Sequence, residues 1–333
     1  MVNITLFNEK LRGCYWGLAL GDALGKPVEF DSIESIRNRY GGNGVQNPEE
    51  KAYWTDDTEM TFAITNALLR LGNVENIAKL NDDYIGRIFA EEFIAWLHNP
   101  GYAPGVTSMT SVAFLKQNGA DKWQKGGGND SKGCGTVMRA APLGVWFAKA
   151  IGQELPAQNG SNHQLLKKIS TIQSEITHGH KAATAAALAG SYAVALAFND
   201  IAPLDMIELI ENYCVDIHPD FNDAIQNLKR ALQNRENNIF LTDLEALNSI
   251  GSGWVGEEAF AMALYSVIRY PSDLKSCLRI SVNHSGDSDS VACIAGGILG
   301  AFNGLSIIPQ EWIGRLAEKA RMEQFLTLIT EFL

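Results

Sequence analysis

Apolar residues recur along this chain at helical rather than strand spacing. In "DDTEMTFAITNALLR" (56–70), Met60, Ala63, Ile64, Ala67 and Leu68 share one helix face. The same rhythm governs the stretches near 13–24, 57–71, 83–97, 163–176, 181–198, 203–214, 221–234, 256–269, 273–282, 290–302 and 310–332. Strand signals are sparse, so the pattern predicts an all-α protein. Gly and Pro in "YGGNGVQNPEE", "HNPGYAPG", "KGGGNDSKGCG" and "NSIGSGWVG" mark loops or helix boundaries. None is long enough for an interdomain linker, and no repeat of fixed period stands out. The expectation is a single domain over residues 1–333.

Composition narrows the function. With 333 residues, 46% of them hydrophobic, and a net charge of -11, the chain reads as soluble and globular with a substantial core, although length alone would allow two domains. The acidic balance argues against phosphate-backbone binding, so no nucleic-acid partner is expected. Cys14, Cys134, Cys214, Cys277 and Cys293 are scattered, odd in number and without a CxxC pair. They fit neither a disulfide framework nor a zinc site, and a reducing cytoplasm is the expected compartment. Lys10 and Arg12 precede "GCYWGLALGDALG", but Asp22 and four glycines interrupt that apolar run, so no export signal is read. Ala182 to Phe198 is the nearest thing to a membrane span; it is short and Ala-dominated, and reads as a buried core helix. No membrane partner is expected.

Two helix starts carry unusual acid. Asp56 and Asp57 open the first pattern, where Asp56 with Glu59 fits an Asp variant of a capping box and negative charge is favoured. Asp287 and Asp289 alternate with serines in "NHSGDSDSVACIAGGILGAFNG" (283–304), with Ser288 or Asp289 as the candidate cap. Here Gly296, Gly297 and Gly300 suggest close packing. Yet Thr55, Asp56 and Asp57 in one place, and Asp287, Asp289 and Ser290 in the other, each offer oxygen ligands suited to a hard cation. Facing each other, the two sets could hold two Mg²⁺ or Mn²⁺ ions, whereas packing the carboxylates together without cations would be costly. Spacing alone does not bring them together.

Four stretches in order, "GLALGDALGKPVEF" (17–30), "WTDDTEM" (54–60), "GCGTVMRAAPLG" (133–144) and "NHSGDSDSVACIAGGILGA" (283–301), resemble the ADP-ribosylglycohydrolase family. This family includes the enzyme that reactivates dinitrogenase reductase and the vertebrate ADP-ribosyl-arginine hydrolases. "THGHKAATAAALAGSYAVALA" (177–197) and "GSGWVGEEAFAMALY" (251–265) look like further family segments, so the similarity runs from residue 13 to about 305. The resemblance implies a single compact orthogonal multi-helix bundle with a two-metal cleft. There Thr55, Asp56, Asp57, Asp287, Asp289 and Ser290 would bind two Mg²⁺ or Mn²⁺ ions beside the distal ribose of ADP-ribose.

It also implies roles for other residues. Glu29 points at that ribose as base or clamp, and Asp57 or Asp289 relays a proton to or from water, the choice between them staying open. Gly133, Cys134, Gly135 and Thr136 form the diphosphate loop, with Ser131 and Lys132 beside it; many members carry Asn where Cys134 stands. Arg139 is expected to anchor the loop. His178 lines the cleft and His180 is structural, two histidines alone being too few ligands for zinc. Trp54 and Trp254 either stack on adenine, border the acceptor pocket or simply pack.

The implied activity is hydrolytic removal of mono-ADP-ribose from a modified protein. Arginine is the expected linkage, because "GSGWVGEEAFAMALY" and "NHSGDSDS" look closer to the arginine-directed branch than to the serine- and poly-ADP-ribose-directed one. Alternatives are hydrolysis of serine- or O-acetyl-linked ADP-ribose, a silent ADP-ribose reader, or an immunity protein that neutralises a cognate ADP-ribosyltransferase. Presence of all six ligands and Glu29 favours an enzyme.

Overall fold

Two glycine-lined helices form the spine of the molecule. The computed structural model describes residues 4–214 and 216–333. Among these, apart from two isolated bridge pairs, Ala52 with Leu316 and Gly133 with Val255, the ordered backbone is helical, as the pattern predicts. The helices that position the site are labelled in chain order: α1 (Ile4–Gly25), α2 (Asp56–Leu71), α3 (Lys181–Phe198), α4 (Gly256–Arg269) and α5 (Ser288–Asn303).

Gly13, Gly17, Gly21 and Gly25 recur every fourth residue and so line one face of α1. That face lies directly against the α5 backbone. A Cβ on Gly17 would stand 2.1 Å from the Gly296 carbonyl oxygen, one on Gly21 2.0 Å from that of Ala292, and one on Gly25 2.4 Å from Asp289 Cα. The glycines that interrupted an apolar run are therefore a packing surface. Their last contact sets the end of α1 against the start of α5.

The alanine-rich α3 is long and apolar enough to cross a membrane, but 94% of it is buried within the protein. It is a core helix, as expected. Its small side chains admit close neighbours, among them Gly144 of the helix Ala141–Gly152, whose added Cβ would meet the Ser191 carbonyl oxygen at 2.3 Å. Lys10, itself buried, closes the C-terminus of α3 by donating to the Ala197 and Phe198 carbonyls at 3.0 and 3.1 Å and pairing with Asp200 at 2.6 Å.

The helix boundaries differ from the sequence reading in three ways. First, α1 begins at Ile4 rather than near 13, because polar residues such as Glu9, Lys10 and Arg12 mask the rhythm. Second, the segment 310–332 is two helices, Gln310–Arg315 and Lys319–Phe332, parted where Ala317 donates to the Ala52 carbonyl and Ala52 to that of Arg315. Third, Ile33–Tyr40, Val106–Asn118, Ala141–Gly152 and Asp243–Ile250 are additional helices. Two of these are eight residues long, too short to establish a period. Ala141–Gly152 is buried nearly all round, and the inner face of Val106–Asn118 includes Ser108 and Ser111.

Candidate active site

The two acidic helix starts meet. Asp56 and Asp57 on α2, with Asp287, Asp289 and Ser290 at the start of α5, line one cleft of about 280 Å³. Glu29, Gly133, Cys134, Gly135 and His178 are also in the wall. A larger groove of about 420 Å³, which includes Arg37, Gln46 and Arg279, holds none of the expected residues.

Neither cap is the expected one. Thr55, fully buried below the cleft, caps α2 by accepting the Asp57 N–H at 3.3 Å. The Asp56–Glu59 capping box does not form: Asp56 Oδ2 instead accepts the Gly105 N–H at 3.2 Å, while Glu59 accepts Trp54 Nε1 at 2.9 Å and pairs with Arg321. At the other start, Asp287 rather than Ser288 or Asp289 caps α5, accepting the Ser290 N–H at 3.3 Å.

A residue the sequence reading passed over holds this arrangement. Asp22 of α1 is fully buried. Its Oδ1 accepts the Thr55 N–H at 2.8 Å, and its Oδ2 accepts both the N–H and the hydroxyl of Thr58, at 3.0 and 2.5 Å. It fixes the first turn of α2 from beneath. The signal was a lone carboxylate inside an apolar helix, a residue type that is almost never buried without partners.

Charge is concentrated here beyond what the fold neutralises. Burial first, then the charges of Asp287, Asp56 and Asp22, pushes Glu29 up to about 8. Burial, followed by the Asp22 and Asp287 charges and opposed by hydrogen bonds, pushes Asp56 up to about 8. Asp57 and Asp289 are both raised well above the usual carboxylate range, by burial and then by neighbouring carboxylates. Asp57 Oδ2 is buried and has no hydrogen-bond partner. A buried, unpartnered carboxylate oxygen in a cleft that also holds Glu29, Asp56, Asp287 and Asp289 fits a cation site, since burial without one costs several kcal/mol by the usual order of magnitude. The all-oxygen set of Asp56, Asp57, Asp287, Asp289 and Ser290 suits Mg²⁺ or Mn²⁺.

The glycine loop is brought only partly to the cleft. Gly133, Cys134 and Gly135 line it, whereas Thr136 is buried behind them with its hydroxyl on the Ala183 carbonyl at 2.9 Å. Ser131 lies off the wall, its Oγ accepting from Thr107 at 3.2 Å. Lys132 points away: its ammonium is held at 2.6 Å by both Asp220 and Glu257. Arg139 is buried in the core, donating to Gln173 and Thr177 at 2.8 Å and lying 4.4 Å above the Phe93 ring, and it reaches the loop through Gln173, whose Nε2 donates to the Thr136 carbonyl at 3.2 Å. Burial lowers its guanidinium to about 9.

His178 sits under Gly135, where an added Cβ would approach its ring to 2.9 Å. Burial, then Arg139, lowers it to about 3, so it is a neutral ring, with Nδ1 bonded to Thr177 Oγ1 at 2.8 Å. His180 is structural, capping α3 through the Ala182 N–H. With His218 and Asp220 it places three ligand-type atoms within 4.8 Å of one another. Both imidazole Nδ1 atoms, however, accept backbone N–H groups, from Ala182 and Asp220, and Lys132 occupies Asp220. Metal-bound histidines turn the second ring N–H toward an acceptor. This group therefore caps helices. Trp54 is a core residue, whereas Trp254 is at the cleft rim, stacked on exposed Phe30 with centroids 5.7 Å apart.

The scaffold is thus all-helical, with buried carboxylates from two helix starts gathered beside a glycine loop. The chain belongs to the ADP-ribosylglycohydrolase family, whose sequence profile matches residues 3–332. It is 24% identical to mouse ADP-ribosylhydrolase ARH3, over 91% of this chain and 86% of that one. It is 26% identical to the ADP-ribosyl-[dinitrogen reductase] glycohydrolase of Rhodospirillum rubrum, over 95% and 93%. To the ADP-ribosylarginine hydrolase Tri1 of Pseudomonas putida it is 23% identical, over 93% and 74%. A solved ADP-ribosylglycohydrolase-related protein shares the fold, with a TM-score of 0.70 at 21% identity and coverage of 98% and 99%.

Proposed function

We propose that this protein removes mono-ADP-ribose from modified arginine side chains, using two Mg²⁺ or Mn²⁺ ions held by Thr55, Asp56, Asp57, Asp287, Asp289 and Ser290. The observation that carries the reading is the meeting of the α2 and α5 carboxylates in one cleft, with Asp57 Oδ2 unpartnered. Bound there, such ions supply a clamp for ribose hydroxyls and a bound water of lowered pKa.

The chain's own groups account for the remainder of the chemistry. Cleaving an N-glycosidic bond develops oxocarbenium character, so the leaving nitrogen must be protonated and a water deprotonated. Glu29, which burial raises above the usual carboxylate range and which lines the same cleft, is the group placed to pass a proton to the leaving nitrogen or to clamp the ribose. Asp57 or Asp289 takes the proton from water. Gly133 to Gly135 leave room for the diphosphate to approach backbone N–H groups. Neutral His178 gives that loop an uncharged floor. The named activity of Tri1 and the likeness of "GSGWVGEEAFAMALY" to the arginine-directed branch support the linkage.

The test presents arginine-, serine- and O-acetyl-linked ADP-ribose with and without Mg²⁺. Metal-dependent release from arginine alone supports the reading. Equal rates on all three linkages, or release indifferent to chelation, overturns it.

A further inference from the structure

A thiol stands among the proposed metal ligands. Cys134 Sγ lies 2.7 Å from Asp287 Oδ2, and Ser290 Oγ donates to the same sulfur at 3.4 Å. A second sulfur, Met138 Sδ, is 3.8 Å from Ser290 Oγ. Both sulfur residues line the cleft with Asp57, whose buried Oδ2 lacks a partner. The other four cysteines are buried, and Cys134 alone among the five is partly open.

Ligand softness sorts divalent cations. Carboxylate and hydroxyl oxygens suit Mg²⁺ and Mn²⁺, whereas thiolate and thioether sulfur favour Zn²⁺, Co²⁺ and Cd²⁺. The α2 side of the cleft offers oxygen only. The α5 side offers Asp287 and Ser290 with a thiol between them. We infer that Cys134 makes this half of the cleft a mixed oxygen–sulfur site, formed by Asp287, Ser290 and Cys134, that binds a thiophilic divalent cation in preference to Mg²⁺.

Binding forms a metal–sulfur bond, and the thiol proton passes to solvent as the ion enters, with no change of oxidation state. The hydrogen bond from Cys134 to Asp287 is exchanged for a shared cation. Met138, one turn further on, lies against Ser290 on the same wall. The inference rests on the two-metal reading of the cleft, to which it adds selectivity.

Metal-free protein is titrated with Co²⁺ and Cd²⁺ under reducing, anaerobic conditions, following sulfur-to-metal charge-transfer absorption, with Mn²⁺ binding measured in parallel by calorimetry. Wild type should develop the band, while C134S and C134N, each verified as folded by circular dichroism, should not. Cd²⁺ affinity should fall on the order of tenfold or more in both variants, while Mn²⁺ affinity changes less than about threefold. Co²⁺ or Cd²⁺ binding without a charge-transfer band, or a band that survives C134S, overturns the thiol ligand and leaves the oxygen site standing. Failure of wild type to bind any divalent cation overturns both readings.

Discussion

Thr58 donates its backbone N–H and its hydroxyl to one oxygen of Asp22, at 3.0 and 2.5 Å. With Thr55 on the other oxygen, a single buried carboxylate of α1 holds the first turn of α2 and so aims Asp56 and Asp57. D22A leaves two N–H groups and a hydroxyl without their acceptor, and each such loss costs about 1–3 kcal/mol. Urea unfolding should show a stability loss of about 3 kcal/mol or more, with D22N between the variant and wild type. Mg²⁺ binding by calorimetry should weaken in both.

On the two-metal reading, Asp57 and Asp289 bind cations at the expense of the metal-free fold. D57N and D289N should abolish metal-dependent release of ADP-ribose from an arginine-modified protein. Each should also raise the melting temperature of the metal-free protein, because a neutral amide relieves like-charge repulsion. Wild type should gain about 2.7 kcal/mol at a metal concentration of 100 Kd, and the variants should lose most of that gain. Release undiminished in both would sink the two-metal cleft.

The raised carboxyls fix the sign of a pH dependence. Asp22 is pushed up to about 6 by burial, and Glu29 and Asp56 reach about 8. The folded state thus retains protons that the unfolded chain releases near pH 4. Stability of the metal-free protein should be fully present below that point and decline as pH rises toward about 8. Thermal melts in chelator across this range should fall with pH, whereas saturating Mg²⁺ should flatten the slope. A metal-free melt that rises steadily over the window would contradict the raised carboxyls.

Contact between α1 and α5 leaves no space for a methyl group. G21A places Cβ 2.0 Å from the Ala292 carbonyl oxygen, an approach only backbone separation can relieve. Overpacking of a core typically costs about 1–3 kcal/mol, and displacement of a whole helix belongs at the upper end. Denaturant midpoints should fall accordingly. G42A, where nothing lies within 4 Å of the added carbon, should behave nearly as wild type.

The helical class was legible because it rests on local pattern, whereas the meeting of the two acidic helix starts was implied only by the family resemblance, since spacing does not bring them together. Period 3.6 marked α2, α3 and α5, and the Asp-rich helix starts marked the two acidic clusters that share the cleft. Register at single residues was not legible. Asp56 and Thr55 are both good capping types, and only the approach of Gly105 to Asp56 decides that Thr55 caps. Lys132 belonged to the right loop, yet Asp220 and Glu257 from distant helices turn it away. Asp22 looked like an interruption because its partners, Thr55 and Thr58, lie in another helix. Such choices depend on tertiary neighbours that spacing does not encode.

The α1–α5 spine also bears on motion. Asp287 to Ser290 begin the helix whose next turns lie against the α1 glycines, so this half of the cleft cannot open without parting the centre of the molecule. Amide protons of α5 should exchange with solvent only through global unfolding, on the slowest timescale the protein has. Loop elements such as Gly101 to Gly105 should exchange through smaller openings. Substrate entry is then a matter of the loops and the rim, while the carboxylate floor beneath them behaves as a fixed instrument.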